Sequence, residues 1–592
     1  MSSRTHFETV SPSAPTEAHQ EFRAARDVLL RYAHDQAHAH EVFRWPRPKH
    51  FNWALDWFDP VARDNDRPAL WVITPDGDRQ VSFAYLGRRS DQVAGWLRAR
   101  GVRRGDRVAL LLDNGVEVWE LLLALMKLRA VAVPLFTTLG PEEVDDRLRR
   151  ATVRHVVATS AIAAAPAFRD TALSAVPGLR VQVGGPVDGW QPWTDADRFT
   201  DAFVPEGPTP ADELMCCFFT SGSTARPKLV GHTHTSYPIG HLSGMFWAGL
   251  KPGDTHLNIS SPGWAKHPWS SLFAPWNAEA QVVSVDTRHA DPDLVLEALE
   301  RTAATSVCAP PSIWRRLVAA GLTGRRIALR EAMSVGEPLT DDIVDAVRAA
   351  WGVVVRNGYG QSEVTAVLGV APGGRADPTS LGRPLPGYRV VLCAPDTTTP
   401  VREGEICLDP ADRPAGLMHG YLDPVDTPPA GPGALYRTGD LARRESDGTF
   451  TFVGRLKDVF HTADGVRVAP AELERRLLGH PAVAEAAVVP VPAQDGGGAS
   501  EAKAYVLLAD GWNAGAVTAE AVLGHVNGEN GENGKSGEAV RLAVLEFVDE
   551  LPRTESGKIF RDRLRRFARS PLVEFTAPAP TGSPAGGRIR EA

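Results

Sequence analysis

The stretch FFTSGSTARPKLVGHTH, Phe218 to His234, decides how the chain is read. Just ahead of it, the apolar run Leu214 to Phe219 is expected to be a short buried strand. Thr220-Ser221-Gly222-Ser223-Thr224 then sets four hydroxylated residues and a glycine in a row, with Lys228 following. Successive backbone N–H groups in such a turn form an anion-binding concavity, to which hydroxyls and an ammonium add donors. That chemistry suits a polyphosphate. The stretch matches neither GxxxxGK(S/T) nor GxGxxG, which sets aside the P-loop and the dinucleotide-binding turn. Taken alone it also reads as a Ser/Thr-rich surface turn, so residues elsewhere in the chain must decide.

On both sides of this stretch, strand and helix patterns alternate. Leu70 to Ile73 and Gln80 to Phe83 read as a hairpin joined at Asp76-Gly77, and Tyr85 to Arg100 as a helix. Strands are expected at Arg107 to Asp113, Ala130 to Leu135 and His155 to Thr159, with helices at Val116 to Arg129 and Pro141 to Ala151. After the Ser/Thr stretch come strands at Val282 to Val285, Thr305 to Cys308 and Val353 to Val355, and a helix at Ile313 to Ala320. Alternation at this spacing implies parallel-type sheets covered by helices.

Beyond Gly382 the texture changes to short strands with Gly/Pro turns, at Tyr388 to Leu392, Gly404 to Leu408 and Thr449 to Val453. A last stretch has a helix at Pro470 to Leu478 and strands at Ala486 to Val491, Ala502 to Leu508 and Val544 to Val548. The expected fold is α/β: a large N-terminal domain with a β-rich subdomain, then a small mobile α+β C-terminal domain. The boundaries are an N-terminal extension over 1–45 (disordered start, then a helix from Glu21 to Val42), the large domain over 46–455, the small domain over 456–568, and a disordered tail over 569–592. GENGENG, Gly528 to Gly534, reads as a flexible insertion in the small domain.

Composition narrows the class. Of 592 residues, 43% are hydrophobic and 23% charged, ordinary for a globular protein. A net charge of −8 argues against a nucleic-acid binder, so an anionic ligand must be held by local donors. The five cysteines are scattered without a CxxC pair, which points away from structural zinc and disulfides. His34 and His38 have a metal-ligating spacing but no third ligand in view, so they read as a solvated helix face. The N-terminus has no apolar leader and no run is long enough to span a membrane; the expectation is a cytoplasmic protein with no membrane or nucleic-acid partner.

Four further stretches follow in order: Ser334-Val335-Gly336-Glu337-Pro338; Asn357-Gly358-Tyr359-Gly360-Gln361-Ser362-Glu363; Tyr436 to Asp440 leading to Gly454-Arg455; and Leu551 to Lys558. With the Ser/Thr stretch they resemble the adenylate-forming superfamily of acyl-CoA synthetases, luciferases and nonribosomal-peptide adenylation domains, from about residue 50 to 568. The resemblance implies an ATP-dependent, AMP-forming ligase that activates a carboxylic acid as its adenylate. It implies that Thr220 to Thr224 and Lys228 hold the β- and γ-phosphates. Gly336, Glu337 and Pro338 would border the adenine, with Tyr359 stacking within Gly358 to Ser362. Glu363 would bind Mg²⁺, Asp440 the ribose hydroxyls, and Arg455 the ribose and phosphate. Lys558 would bridge the acid and the α-phosphate, with Thr220, Glu363 and His461 also in catalytic positions. His232, Trp264, Gly336 and Gly360 would surround the acid, and Lys457 would be the hinge between two orientations of the small domain.

The run Ser261 to Ser271 and Cys308-Ala309-Pro310-Pro311 look most like medium-chain acyl-CoA and acetyl-CoA synthetases, implying CoA as acceptor and an apolar or aryl acid. Some positions depart from that pattern. Ala225 replaces a glycine of the phosphate loop, His461 a basic residue, and one extra residue near Asp464 precedes Gly465. These departures leave open an adenylating enzyme with another acceptor: a carrier protein, or an amine attacking adenylated nitrite in a diazotase-like reaction, as in relatives from secondary metabolism.

Overall fold

The computed structural model describes residues 15–74, 77–168, 171, 173–220, 226–286, 291–374, 377–409, 413–422, 434–462, 464–492, 500–528, 540–554, 557–567, 573–576 and 589–591. Asp76 of the hairpin turn, Ser221 to Ala225 of the phosphate loop and nearly all of the 528–534 insertion lie outside them.

Two large sheets organise residues up to Arg455. In one, the strands Arg107–Leu111, Val131–Pro134, His155–Thr159 and Leu214–Thr220 run parallel, and Lys228–Thr233 turns back antiparallel beside Leu214–Thr220. In the other, Thr255–Asn258, Gln281–Val285, Ser306–Ala309, Glu331–Val335 and Val355–Gln361 form a parallel block. Among them, runs such as Val108 to Leu111 and Val282 to Val285 are Val- and Leu-rich because both faces are covered. The helix Val116–Leu128 is buried along nearly its whole length, so most of its residues are apolar and its buried Glu120 and Lys127 are ion-paired, with Arg89 and with Asp59 and Asp91. Pro141–Arg150 is started by proline in its first turn and by Glu143, whose carboxylate accepts the Gly140 N–H at 2.8 Å.

The β-rich stretch is not separate from the parallel block. Ser380–Pro384 pairs with Phe450–Arg455, so the antiparallel strands Val390–Cys393, Glu403–Leu408 and Tyr436–Arg444 continue the second sheet. After Arg455 a smaller body is built on the antiparallel strands Val483–Pro492 and Ser500–Leu508, with Val544–Phe547 added parallel and the helix Pro470–Leu478 packed on them.

The structure corrects three expectations. The single helix over Glu21 to Val42 is two, Glu17–Arg31 and Gln36–Val42. Asp35 accepts the His38 N–H at 3.0 Å and starts the second helix, so His34 falls in the turn rather than on a face shared with His38. These helices are also part of the large domain rather than an extension to it. Phe22 packs on Phe51 and Trp57, Arg26 pairs with Glu279 at 2.7 Å, and Trp45 donates to the Gly387 carbonyl at 2.7 Å. Finally, Val573–Thr576 and Ile589–Glu591, placed by sequence in a disordered tail, add two strands to the small sheet, with Phe575 against Phe547. Pairing covers the otherwise open edge of Val544–Phe547. Among the described residues no helix is long and apolar enough to cross a membrane.

Candidate active site

The site is assembled around Asp440, which is only 2% exposed. Tyr436–Arg444 runs antiparallel to Phe450–Arg455 and sets Asp440 opposite Arg455, whose Nε lies 3.3 Å from Oδ1. Tyr359 and Gln361 sit two residues apart on Val355–Gln361 and so share a face. Both reach Oδ2 of Asp440: the Tyr359 hydroxyl donates at 2.7 Å and the Gln361 amide at 2.6 Å. Gln361 also donates to the Thr438 carbonyl at 2.9 Å and accepts from the Tyr436 hydroxyl at 3.1 Å. The turn before Asp440 is held by Glu405, which accepts the Gly439 N–H at 2.9 Å and pairs with Arg437 at 2.7 Å. Burial, together with the Asp440 charge, pushes the Tyr359 phenol well above its ordinary value, so it stays a donor.

Asp440 opens into a cavity of about 310 Å³ between the large and small bodies. Its walls on the large side are Gly336-Glu337-Pro338, Gly358-Tyr359-Gly360 and Arg455. Two glycines here have physical reasons: Gly336 has φ +102°, and a Cβ on Gly360 would lie 2.1 Å from the Thr365 carbonyl oxygen. Glu337 is oriented by Ser312, which donates its N–H at 3.1 Å and its hydroxyl at 3.3 Å. From the small body, Lys558 enters on a tight turn in which Thr554 N–H donates to the Lys558 carbonyl at 2.7 Å. Burial, and then the neighbouring Arg455 cation, lower the Lys558 ammonium below the usual lysine range. Lys457, in the turn Leu456–Asp458, lines the same cavity at the junction of the bodies.

Thr220 ends its strand directly opposite Lys228. Its hydroxyl is buried with no hydrogen-bond partner among the described residues. Lys228 lies over the Tyr421 ring at 4.4 Å, and the Tyr421 hydroxyl donates to Glu363 at 3.0 Å. A hydroxyl without a partner and a carboxylate are the oxygen donors a hard divalent cation takes, and among the described residues no group of three His, Cys, Asp or Glu forms a complete cage. A cation here would fill its shell with phosphate oxygens and water.

The chain matches the AMP-binding enzyme family over residues 57–422 and the AMP-binding enzyme C-terminal domain over residues 472–558. The chain belongs to the AMP-binding enzymes. It is 34% identical over 527 residues to 4-hydroxybutyrate–CoA ligase 1 of Metallosphaera sedula, covering 88% of this chain and 91% of that one. Acyl-coenzyme A synthetase ACSM3, mitochondrial, of Homo sapiens is 32% identical over 541 residues, with the same coverage. Among solved structures, the anthranilate CoA ligase AuaEII in complex with anthranoyl-AMP superposes with a TM-score of 0.78 at 25% identity, covering 88% of this chain and 98% of that one. ATP-bound MatB from Rhodopseudomonas palustris gives 0.73 at 26%, covering 87% and 99%. Like its family, the chain is an ATP-binding, adenylate-forming ligase.

Within this AMP-binding enzyme, the cavity gathers Gly336, Glu337, Pro338, Gly358, Tyr359, Gly360, Asp440, Arg455 and Lys558, and the hydrogen bonds of Gln361 tie it to the same centre. Of the sequence candidates among the described residues, Thr220, Lys228, His232, Trp264, Gln361, Ser362, Glu363 and His461 do not line the cavity. His232 is fully buried, its Nε2 2.6 Å from the Ser362 carbonyl and its Nδ1 2.9 Å from the Ser236 hydroxyl. Burial pulls its imidazole down to about 4, so at neutral pH a neutral ring donates from Nε2 and ties the phosphate strand to the segment before Glu363. Trp264 is half-buried over the Lys266 ammonium at 5.6 Å. His461 is exposed on the two-residue strand Phe460–His461 and is not brought to the cavity in this orientation of the small body. Tyr436, Glu405 and Ser312 were not singled out for a role from sequence. Tyr436 stands in the quoted Tyr436 to Asp440 stretch, but nothing in that stretch marks its hydroxyl for a hydrogen-bonding role.

Proposed function

We infer that the chain is an AMP-forming acid–CoA ligase whose two half-reactions share the cavity around Asp440. The observation that carries this reading is the entry of Lys558, from the small body, into the cavity that holds Tyr359, Asp440 and Arg455. A carboxylate and a triphosphate repel each other, so their approach needs cations fixed in place before they meet. Lys558 supplies an ammonium between the acid and the α-phosphate, and Arg455 a guanidinium already oriented by Asp440. A carboxylate oxygen attacks the α-phosphorus, the bond to the bridging oxygen breaks, and pyrophosphate leaves. CoA sulfur then attacks the acyl carbon, the carbon–oxygen bond to AMP breaks, and the thiol proton passes to solvent.

Asp440 accepts the ribose hydroxyls, Tyr359 and Gly336 to Pro338 frame the base, and Thr220 and Lys228 receive the outer phosphates at the ends of their loop. Glu363 and the Thr220 hydroxyl would hold Mg²⁺, which would neutralise charge on the phosphates. The acid belongs to the aliphatic or aryl carboxylic acids, in a pocket bordered by Trp264, Gly336 and Gly360.

Incubation with Mg-ATP and pooled carboxylic acids, with and without CoA, tests the reading by mass spectrometry. Acyl-CoA together with AMP is the expected product; acyl-AMP accumulating unchanged by CoA would assign another acceptor. A second expectation concerns Lys457 at the junction of the bodies. Proline removes its N–H and fixes φ, which obstructs rotation there. Lys457→Pro is therefore expected to slow thioester formation at least about tenfold more than adenylate formation, so that acyl-AMP builds up in single-turnover assays. Equal slowing of both steps would remove Lys457 as the hinge.

A further inference from the structure

Among the described residues three lysines are buried, and they are not alike. Lys127 pairs with Asp59 at 2.8 Å and with Asp91 at 2.7 Å, and Lys503 pairs with Glu546 at 2.7 Å. Lys266, 6% exposed, has only neutral partners: Asn258 Oδ1 at 2.9 Å, the Ile259 carbonyl at 3.5 Å and the Cys308 thiol beside it. An ammonium withdrawn from water without a counter-ion is costly, and proteins of ordinary stability rarely keep one without a use.

The surroundings compensate it only in part: Glu337 acts on it without forming an ion pair. His256 and His267 are held neutral, at about 3, by burial and then by the Lys266 charge. His256 is engaged between the Ser306 and Ser270 hydroxyls, and His267 with Asn114 at 2.9 Å. The hydroxyl of Ser260, next to the carbonyl that Lys266 donates to, is buried without a partner. The Lys266 ammonium faces the ring of Trp264, which is half-buried although Gly263 and Ala265 on either side are buried.

Lys266 also differs from Lys558 in its setting. Lys558 feels Arg455, Glu337, Asp440 and Glu363, the groups around the nucleotide, whereas of these Lys266 shares only Glu337. The two lysines therefore stand in different surroundings.

We propose that Lys266 is a specificity-determining residue that takes a second oxygen-bearing group, carboxylate or hydroxyl, at the end of the acid remote from the reacting carboxylate. The proposal rests on the ligase reading and on Trp264 bordering the acid. A pocket with such a donor rejects the methyl-ended analogue, because the bound complex would leave the ammonium unpaired.

The test measures kcat/KM for AMP release over a ladder of chain lengths, each offered as the methyl-ended, hydroxymethyl-ended and carboxylate-ended acid. The unaltered enzyme is expected to favour an oxygen-ended acid by about tenfold or more over its methyl-ended match. Lys266→Met, which keeps the volume and removes the charge, is expected to reverse that ratio. Lys266→Gln, which keeps a donor, is expected to retain the hydroxyl-ended acid and lose the carboxylate-ended one. If Lys266→Met does not fold, Lys266→Gln carries the comparison. Ratios that stay the same across the variants, with AMP release intact, overturn the proposal and leave the ligase reading standing. Absence of AMP release with every acid overturns both.

Discussion

Replacing Lys558 by alanine is expected to lower acyl-adenylate formation by about a hundred- to a thousandfold, about 3–4 kcal/mol of transition-state stabilisation. The side chain is a cation that the small body brings to the cavity, and burial beside Arg455 already weakens its hold on the proton. Its contribution is therefore made where charge develops rather than in general attraction for ATP. The loss should fall on the rate of the first half-reaction, with the dissociation constant for ATP changing much less. Thioester formation from preformed acyl-AMP, which under the proposed hinge at Lys457 proceeds in a different orientation of the small body, should be spared by comparison. Rapid-quench measurement of both half-reactions checks this. Equal losses in both, or a loss only in ATP affinity, would contradict the role assigned to Lys558.

Asp440→Ala should produce the next largest effect, and on a different quantity. Its carboxylate is the shared acceptor for the Tyr359 hydroxyl and the Gln361 amide and lies against the Arg455 guanidinium. Removing it leaves three donors without their acceptor, each costing about 1–3 kcal/mol where it is buried. The expected result is a rise of about tenfold to a hundredfold in KM for ATP, with a lower melting temperature. Asp440→Asn keeps the shape but removes the counter-charge of Arg455, and should show much of the KM effect with less loss of stability. An unchanged KM for ATP in both variants would show that Asp440 only braces the strands.

Much of this architecture was legible from residue patterns because buried strands and amphipathic helices announce themselves. The run from Val108 to Leu112 and the helix starting at Pro470 are examples. The strands that carry the site were harder. In Val355–Gln361 the residues Asn357, Gly358 and Gly360 lower strand propensity, yet they are there because Trp247 crowds Gly358 and the Thr365 carbonyl crowds Gly360. Arg437-Thr438-Gly439-Asp440 reads as a turn in isolation, whereas pairing with Glu403–Leu408 and Phe450–Arg455 makes it strand. The break at Asp35 was hidden because helical periodicity continues through it, and only the side-chain cap shows where the second helix begins. No spacing rule brings Gly336, Tyr359, Asp440 and Lys558 to one cavity. That grouping was implied by a family resemblance, and the folded chain supplies the geometry.

The central claim is that the acid's own oxygen attacks the α-phosphorus and leaves with AMP. A carboxylic acid labelled with ¹⁸O in both carboxylate oxygens, turned over with Mg-ATP and CoA, tests it most directly. The account predicts one labelled oxygen in AMP, one retained in the acyl-CoA carbonyl, and none in pyrophosphate. Label found in inorganic phosphate alongside ADP, or unlabelled AMP accompanying acyl-CoA, would contradict it.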